Sequence, residues 1–392
     1  MFDFTKYRKL FKATEKYIYF NHASTGPLPT TAVTAISDLA VRYSEQGTIE
    51  WQEYEALSNS TRALAAKLVN CSPDEICFVQ NTSQGIIYAI GSIPFEKDDN
   101  VVLMQDAFPT NSAPFHYLLP DIEKRNITSN ELLDNPHNIL TKIDNRTRAI
   151  SLDWVNFLNG IRIDLHEISQ ICEDRGIYFI VDGMQGCGAM QLDLKKIKVD
   201  FFSSAAPKWL LGPHGIGIFY VNKNILGKLK PFNLGWLSAD WDDFYDILAP
   251  RKLKTAVARF EEGTKNYLGI VGFQESLKIF DEIGMDKIES QILDLTDYLI
   301  KKINNPKFEI VTPFERESRA GIVSFRKKDV DTMELFMKLK QNNITCSLRE
   351  NYLRISPHFY NTIQELDKLL ELVWGVAPPP VSGVIKIKPS TF

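Results

Sequence analysis

From about residue 75 the chain alternates short apolar runs with longer stretches of helical period. The runs are EICFVQ, NVVLMQ, AISLDWV, IYFIVDG, VDFFSSAA and GIGIFYV. Near-continuous apolar runs of this length suit strands buried on both faces, and their alternation with helices predicts an α/β fold with a mostly parallel sheet. Between AISLDWV and IYFIVDG, the segment IDLHEISQICEDRG sets Leu165, Ile168, Ile171 and Cys172 on one helical face and stops at Gly176. After RFEEGT the texture changes to amphipathic helices, such as DKIESQILDLTDYLIKKI, joined to short strands such as GIVSFRK. This predicts a large domain over residues 16–264 and a smaller α+β domain over 265–392, with residues 1–15 packed on the latter. The final segment, VAPPPVSGVIKIKPSTF, reads as an extended tail.

Composition narrows the function classes. Of 392 residues, 44% are hydrophobic and 24% charged, as in an ordinary globular protein. A net charge of -4 supplies no basic field for nucleic acid or an anionic membrane, so the expected partner is a small molecule. The opening MFDFTKYRKLFKATEKYIYF lacks an uninterrupted apolar segment, and no later stretch reaches the ~18 apolar residues of a spanning helix. The expectation is a cytoplasmic protein. Five scattered cysteines form no C-x-x-C pair, which predicts no metal site and leaves Cys187 and Cys346 as core thiols.

Ligands of open α/β sheets bind beyond the carboxyl ends of the strands. IYFIVDG ends in Asp182 there, and VDFFSSAAPK runs from a strand into Lys208. A buried lysine beside a buried carboxylate is either a structural ion pair or a pyridoxal phosphate site. In the second case the amine forms a Schiff base and the acid keeps the pyridine nitrogen protonated. NTSQG offers Thr82 and Ser83 at a helix start, either as a phosphate cradle or as a plain cap. Phe108 follows another strand and is either a stacking ring or core. Arg354, among Leu353, Ile355, Phe359 and Tyr360, suits bidentate capture of a carboxylate. The glycines of GPHGIG do not have dinucleotide-loop spacing and predict a tight hairpin turn instead.

In chain order, YIYFNHASTGPLP, NTSQGI, AFPTNSAPF, VNFLNGIRIDL, VDGMQGCGAMQLDL, APKWLLGPHGIGIFYV, RFEEGT and LRISPHFYNT resemble the class V aminotransferase and cysteine desulfurase family of fold-type I pyridoxal phosphate enzymes. The resemblance implies that Lys208 carries the cofactor, Asp182 pairs with its pyridine nitrogen and Gln185 with its phenolic oxygen. Thr82 and Ser83 would bind phosphate, Phe108 would stack on the ring, and Arg354 would hold the substrate carboxylate beside His22 and Ala23. Thr264 would reach the phosphate of a neighbouring subunit, which implies a homodimer with shared active sites.

Ala205 and Pro207 stand where the family often has serine and histidine, so a non-catalytic binding protein on the same fold is one alternative. Phe108 replaces a stacking histidine, and there is no room for a cysteine loop ahead of Arg354. Phe108-Pro109-Thr110 and WVNFLNG look more like the isopenicillin N epimerase and kynureninase branches. Transamination or C–S/C–C lyase chemistry on an amino acid is therefore expected first. Epimerisation follows, and desulfuration is disfavoured.

Overall fold

A computed structural model describes residues 2–241 and 247–375; the proline-led tail lies outside them. A short strand β1 (Ile18–Tyr19) precedes the main sheet. That sheet comprises β2 (Ile76–Val79), β3 (Asn100–Met104), β4 (Glu123–Ile127), β5 (Thr147–Asp153), β6 (Tyr178–Asp182), β7 (Phe201–Ala205) and β8 (Gly217–Val221), in the order β2-β8-β7-β6-β5-β3-β4. Neighbours from β4 to β7 run parallel. Strand β8 is antiparallel to both β7 and β2.

The six apolar runs became six of these strands because both faces are covered. Val101, Leu103, Ile180, Phe201 and Phe219 enter one buried cluster, while their alternates Val102, Met104, Val181, Phe202 and Ile218 enter the other. The seventh strand, EKRNI, escaped the pattern. It is a sheet edge, hydrogen-bonded to one neighbour only, where charged side chains remain in water. The helix Leu165–Arg175 starts where Asp164 accepts hydrogen bonds from the amides of His166 and Glu167, and it ends at Gly176 with φ 64°.

The expected tight hairpin after the lysine is corrected in part. Strands β7 and β8 are antiparallel, but residues 206–216 between them form a closed loop. Ala206 N–H bonds Ile216 O at 2.9 Å, and Gly212 N–H bonds Ala206 O at 2.9 Å. Gly215, at φ 80°, reverses the chain only at the loop's far end.

A second sheet is antiparallel: β9 (Phe308–Ile310), β10 (Val323–Lys327), β12 (Ser347–Arg349) and β13 (Tyr352–Ile355), in the order β12-β13-β10-β9. The remaining strand, β11 (Ile344–Thr345), pairs parallel with β1 and ties the start of the chain to this sheet. Its core contains Phe20, Leu295, Val323, Phe325, Leu353, Ile355 and Leu366. The helix Tyr267–Ile283 packs instead into the cluster under the large sheet, through Ile270, Phe273 and Leu277. Arg8 pairs with Glu365 at 2.7 Å and Lys6 with Glu282. No helix among the described residues is long and apolar enough to cross a membrane.

One buried ion pair locks the RFEEGT stretch to the sheet. Arg62, on the helix Trp51–Leu68, meets Glu261 at 2.8 Å and donates to Ile76 O at 2.6 Å; Glu261 also accepts from Phe78 N–H at 2.9 Å. Removing one partner of such a pair leaves an uncompensated buried charge. Urea unfolding of Glu261→Ala should therefore show a loss of about 3–5 kcal/mol; a stability equal to the parent's would mean that the pair is dispensable.

Candidate active site

The parallel strands β5 and β6 end side by side in Asp153 and Asp182, which are register partners, and the loop after β7 carries Lys208 past the same edge. Lys208 is partly buried, and desolvation lowers its amine from 10.5 to about 8, opposed by the nearby charge of Asp182. Desolvation raises Asp182 to about 6, while a hydrogen bond from Met184 N–H (2.8 Å) and the charge of Lys208 pull the other way. Asp153 is pushed well above the usual carboxylate range, first by burial and then by the charge of Asp182. The site thus has an ammonium that deprotonates easily, with one carboxylate that ionises before the other.

Asp153 was missed from sequence, although AISLDWV ends in an acid just as IYFIVDG does. It holds the loop that carries Phe108. Its oxygens accept from Phe108 N–H at 2.9 Å and from the Asn111 side chain, whose own oxygen accepts from Ser151 at 2.8 Å. Phe108 is 46% exposed, and its ring lies 5.6 Å from Lys208 Nζ. Phe157 meets it edge-on at 5.5 Å. Held by its backbone and one edge, the ring keeps a face open for a flat group to stack on.

The helix Thr82–Ser92 points its N-terminus at this edge. Asn81 caps it by accepting from Gln84 N–H at 2.9 Å. Gly85 lets the helix lie directly on β7, because a Cβ there would stand 2.3 Å from Ser203 Oγ. Thr82 Oγ1 accepts from Ala205 N–H at 3.1 Å, and Ser203 Oγ donates to Thr82 O at 3.1 Å, so Ser203 is committed to the helix start. The hydroxyls of Ser83 and Thr110 lie 2.8 Å apart. Helix amides and two converging hydroxyls are suited to a phosphate.

Gln185 is buried with both ends engaged: it donates to Ala23 O at 3.0 Å and accepts from Trp209 Nε1 at 2.8 Å. It braces the residue after Lys208 against the N-terminal segment. His22 donates from Nδ1 to Ser356 O (2.8 Å) and accepts from the Tyr360 hydroxyl (2.5 Å); burial lowers it to about 4, so it is neutral. Ala23 N–H bonds Ser356 Oγ at 3.0 Å. Together these contacts close the side of the site nearest Arg354.

Arg354 is buried, and its donors reach Ser347 Oγ (3.0 Å), Phe157 O (2.6 Å) and Ser24 Oγ (2.8 Å). No carboxylate pairs with it among the described residues. Burial and then the charge of Arg349 lower it to about 9. A buried guanidinium held only by neutral acceptors is costly until an anion arrives. Thr264 is exposed, in a groove lined by Gln80, Gln84 and Gly215. All five cysteines are free and buried, and burial raises Cys346 to about 12. No metal-binding group of His, Cys, Asp and Glu occurs among the described residues.

The expected pyridoxal phosphate fits these residues. There is an amine to bond it, an acid for its ring nitrogen, an open aromatic face, and a helix N-terminus with hydroxyls. The family model for aminotransferase class V matches residues 18–369. The chain belongs to the class V aminotransferase family. Members of this family use pyridoxal phosphate, and this chain is an enzyme that acts on an amino acid by Schiff-base chemistry. It is 26% identical to a probable cysteine desulfurase of Pyrococcus abyssi over 93% of this chain and 95% of the relative. Its fold is that of the apo cysteine desulfurase from Thermococcus onnurineus NA1, with a TM-score of 0.85, 22% identity, and 96% of this chain and 99% of the other covered. It also superposes on the cystine C–S lyase C-DES in complex with cysteine persulfide, at TM-score 0.85, 22% identity, and 94% and 100% coverage.

In the cofactor-free protein, mild acylation of Lys208, followed by mass spectrometry, should titrate with a midpoint near pH 8. Asp182→Asn removes the anion that favours the ammonium, so the midpoint should move lower. A midpoint near 10.5 in both proteins would show that the amine is solvated.

Proposed function

We propose that this family member removes sulfur from cysteine or a cysteine derivative. One observation carries the reading: over nearly the whole chain it matches curated relatives named probable cysteine desulfurases. From sequence alone that alternative stood behind transamination, C–S/C–C lysis and epimerisation, because no cysteine loop precedes Arg354. The whole-length likeness now supports it ahead of them.

Lys208 would hold pyridoxal phosphate covalently, with Asp182 at the ring nitrogen, Phe108 over the ring, and Thr82, Ser83 and the helix N-terminus at the phosphate. When bound, the group supplies an electron sink for bonds at the substrate α-carbon. Arg354 orients the substrate by its carboxylate, between the Phe157 carbonyl and Ser24. Released when the substrate amine takes its place, Lys208 Nζ would be the base for the α-proton and, once protonated, the acid that can return it; in the cofactor-free chain burial lowers this amine to about 8. Neutral His22 adds no charge beside Arg354 and keeps the N-terminal wall fixed to Ser356 and Tyr360. The exposed Thr264 serves the site of a second copy, which makes the working unit a homodimer. The five free thiols support a cytoplasmic setting.

A second reading, C–S elimination, is favoured by one observation: no described cysteine is exposed to accept sulfur. The two reactions differ in their products. Desulfuration of cysteine with a thiol acceptor yields alanine and a persulfide; elimination consumes water and yields pyruvate, ammonia and sulfide. Size-fractionated protein supplied with cofactor, L-cysteine and a small thiol should form alanine and persulfide in equal amounts, in the dimer fraction. Pyruvate in place of alanine assigns elimination, absence of both contradicts sulfur removal, and activity in a monomer fraction contradicts the shared site.

A further inference from the structure

The hairpin β12–β13 carries a second guanidinium towards the site. Ser347 pairs with Arg354 and Arg349 with Tyr352, so strand alternation puts Ser347, Arg349, Tyr352 and Arg354 on one face. The Arg354–Ser347 hydrogen bond confirms that face, and Leu353 and Ile355 fill the opposite one, in the core. Arg354 reaches across to Phe157 and Ser24, so the polar face looks onto the large domain at the end where Lys208 lies. The turn residues Glu350 and Asn351 have φ 45° and 68°, a two-residue reversal that fixes the register and hence the face of Arg349.

Charge on this face is answered unevenly. Arg326, farther along, is paired with Glu309 at 2.6 Å, and Glu309 also accepts from Tyr352. Arg349 has only the carbonyl of Leu348, at 3.3 Å, and no carboxylate partner among the described residues. It is a diagonal neighbour of Arg354, about 7–8 Å away between backbones. Its charge is felt at both Arg354 and Lys208. Two adjacent guanidinium groups without an anion repel each other, and a substrate with one carboxylate neutralises only one of them.

We propose that Arg349 is a specificity residue that pairs with a second carboxylate of the amino-acid substrate, beyond the α-carboxylate held by Arg354. Such a substrate ends its side chain in a carboxylate, or joins a second amino acid through sulfur. The inference rests on Arg354 as the α-carboxylate anchor. The test measures dissociation constants of the holoenzyme from its visible spectrum, with S-methyl-L-cysteine, L-glutamate and L-cystine as probes. The parent should prefer at least one dicarboxylate to S-methyl-L-cysteine; glutamate or cystine identifies the source of the second group. Arg349→Gln should reduce that preference about tenfold, the scale of one charge-assisted hydrogen bond, and Arg349→Lys should restore part of it. No dicarboxylate preference in the parent, or equal weakening of all three probes in Arg349→Gln, overturns the proposal. Arg354→Gln should weaken all three; if it weakens none, the anchor assignment itself fails, whatever Arg349 does.

Discussion

Everything at this site depends on holding a lysine amine where water is scarce. Burial removes hydration from Lys208, and the single carboxylate that ionises readily beside it, Asp182, offsets only part of the loss. The result is an amine poised between base and acid close to physiological pH. The fold achieves this by sealing both faces of a mostly parallel sheet with apolar side chains, while Asp153, Asp182 and Lys208 emerge where β5, β6 and β7 end. Arg354 follows the same rule from the other sheet: it is a buried charge enclosed by neutral acceptors.

Two sheets must meet for this to work, and short polar contacts join them. Ser356 receives His22 and Ala23 from the start of the chain, Gln185 links Ala23 to Trp209, and His358 bonds the Trp209 carbonyl at 2.9 Å. The peptide next to Lys208 is therefore fixed by the segment that also carries Arg354. Lys208 and Arg354 are positioned through one network.

The strands of the large sheet were legible because burial on both faces writes an unbroken apolar run. Asp182 and Lys208 were legible as the polar interruptions of such runs. The edge strand EKRNI was not, since one-sided pairing leaves its charges in solvent, and Asp153 was overlooked although it ends a strand by the same rule. The bonds of Gln185 to Ala23 and Trp209 were not legible either, because they join parts of the chain far apart in sequence. The hairpin expected after Lys208 became a longer loop because glycine spacing reports where a chain can turn and not what lies between the turns. The pairing of Arg349 with Arg354 on one face needs a strand register, which no local pattern in LREN specifies.

The amine just beyond β7, on Lys208, is the one proposed to bond the cofactor. Borohydride reduction of the holoenzyme, followed by peptide mapping, tests it most directly. One reduced pyridoxyl adduct per chain is expected, on the peptide containing Lys208. An adduct on any other lysine, or none from protein saturated with cofactor, would contradict it.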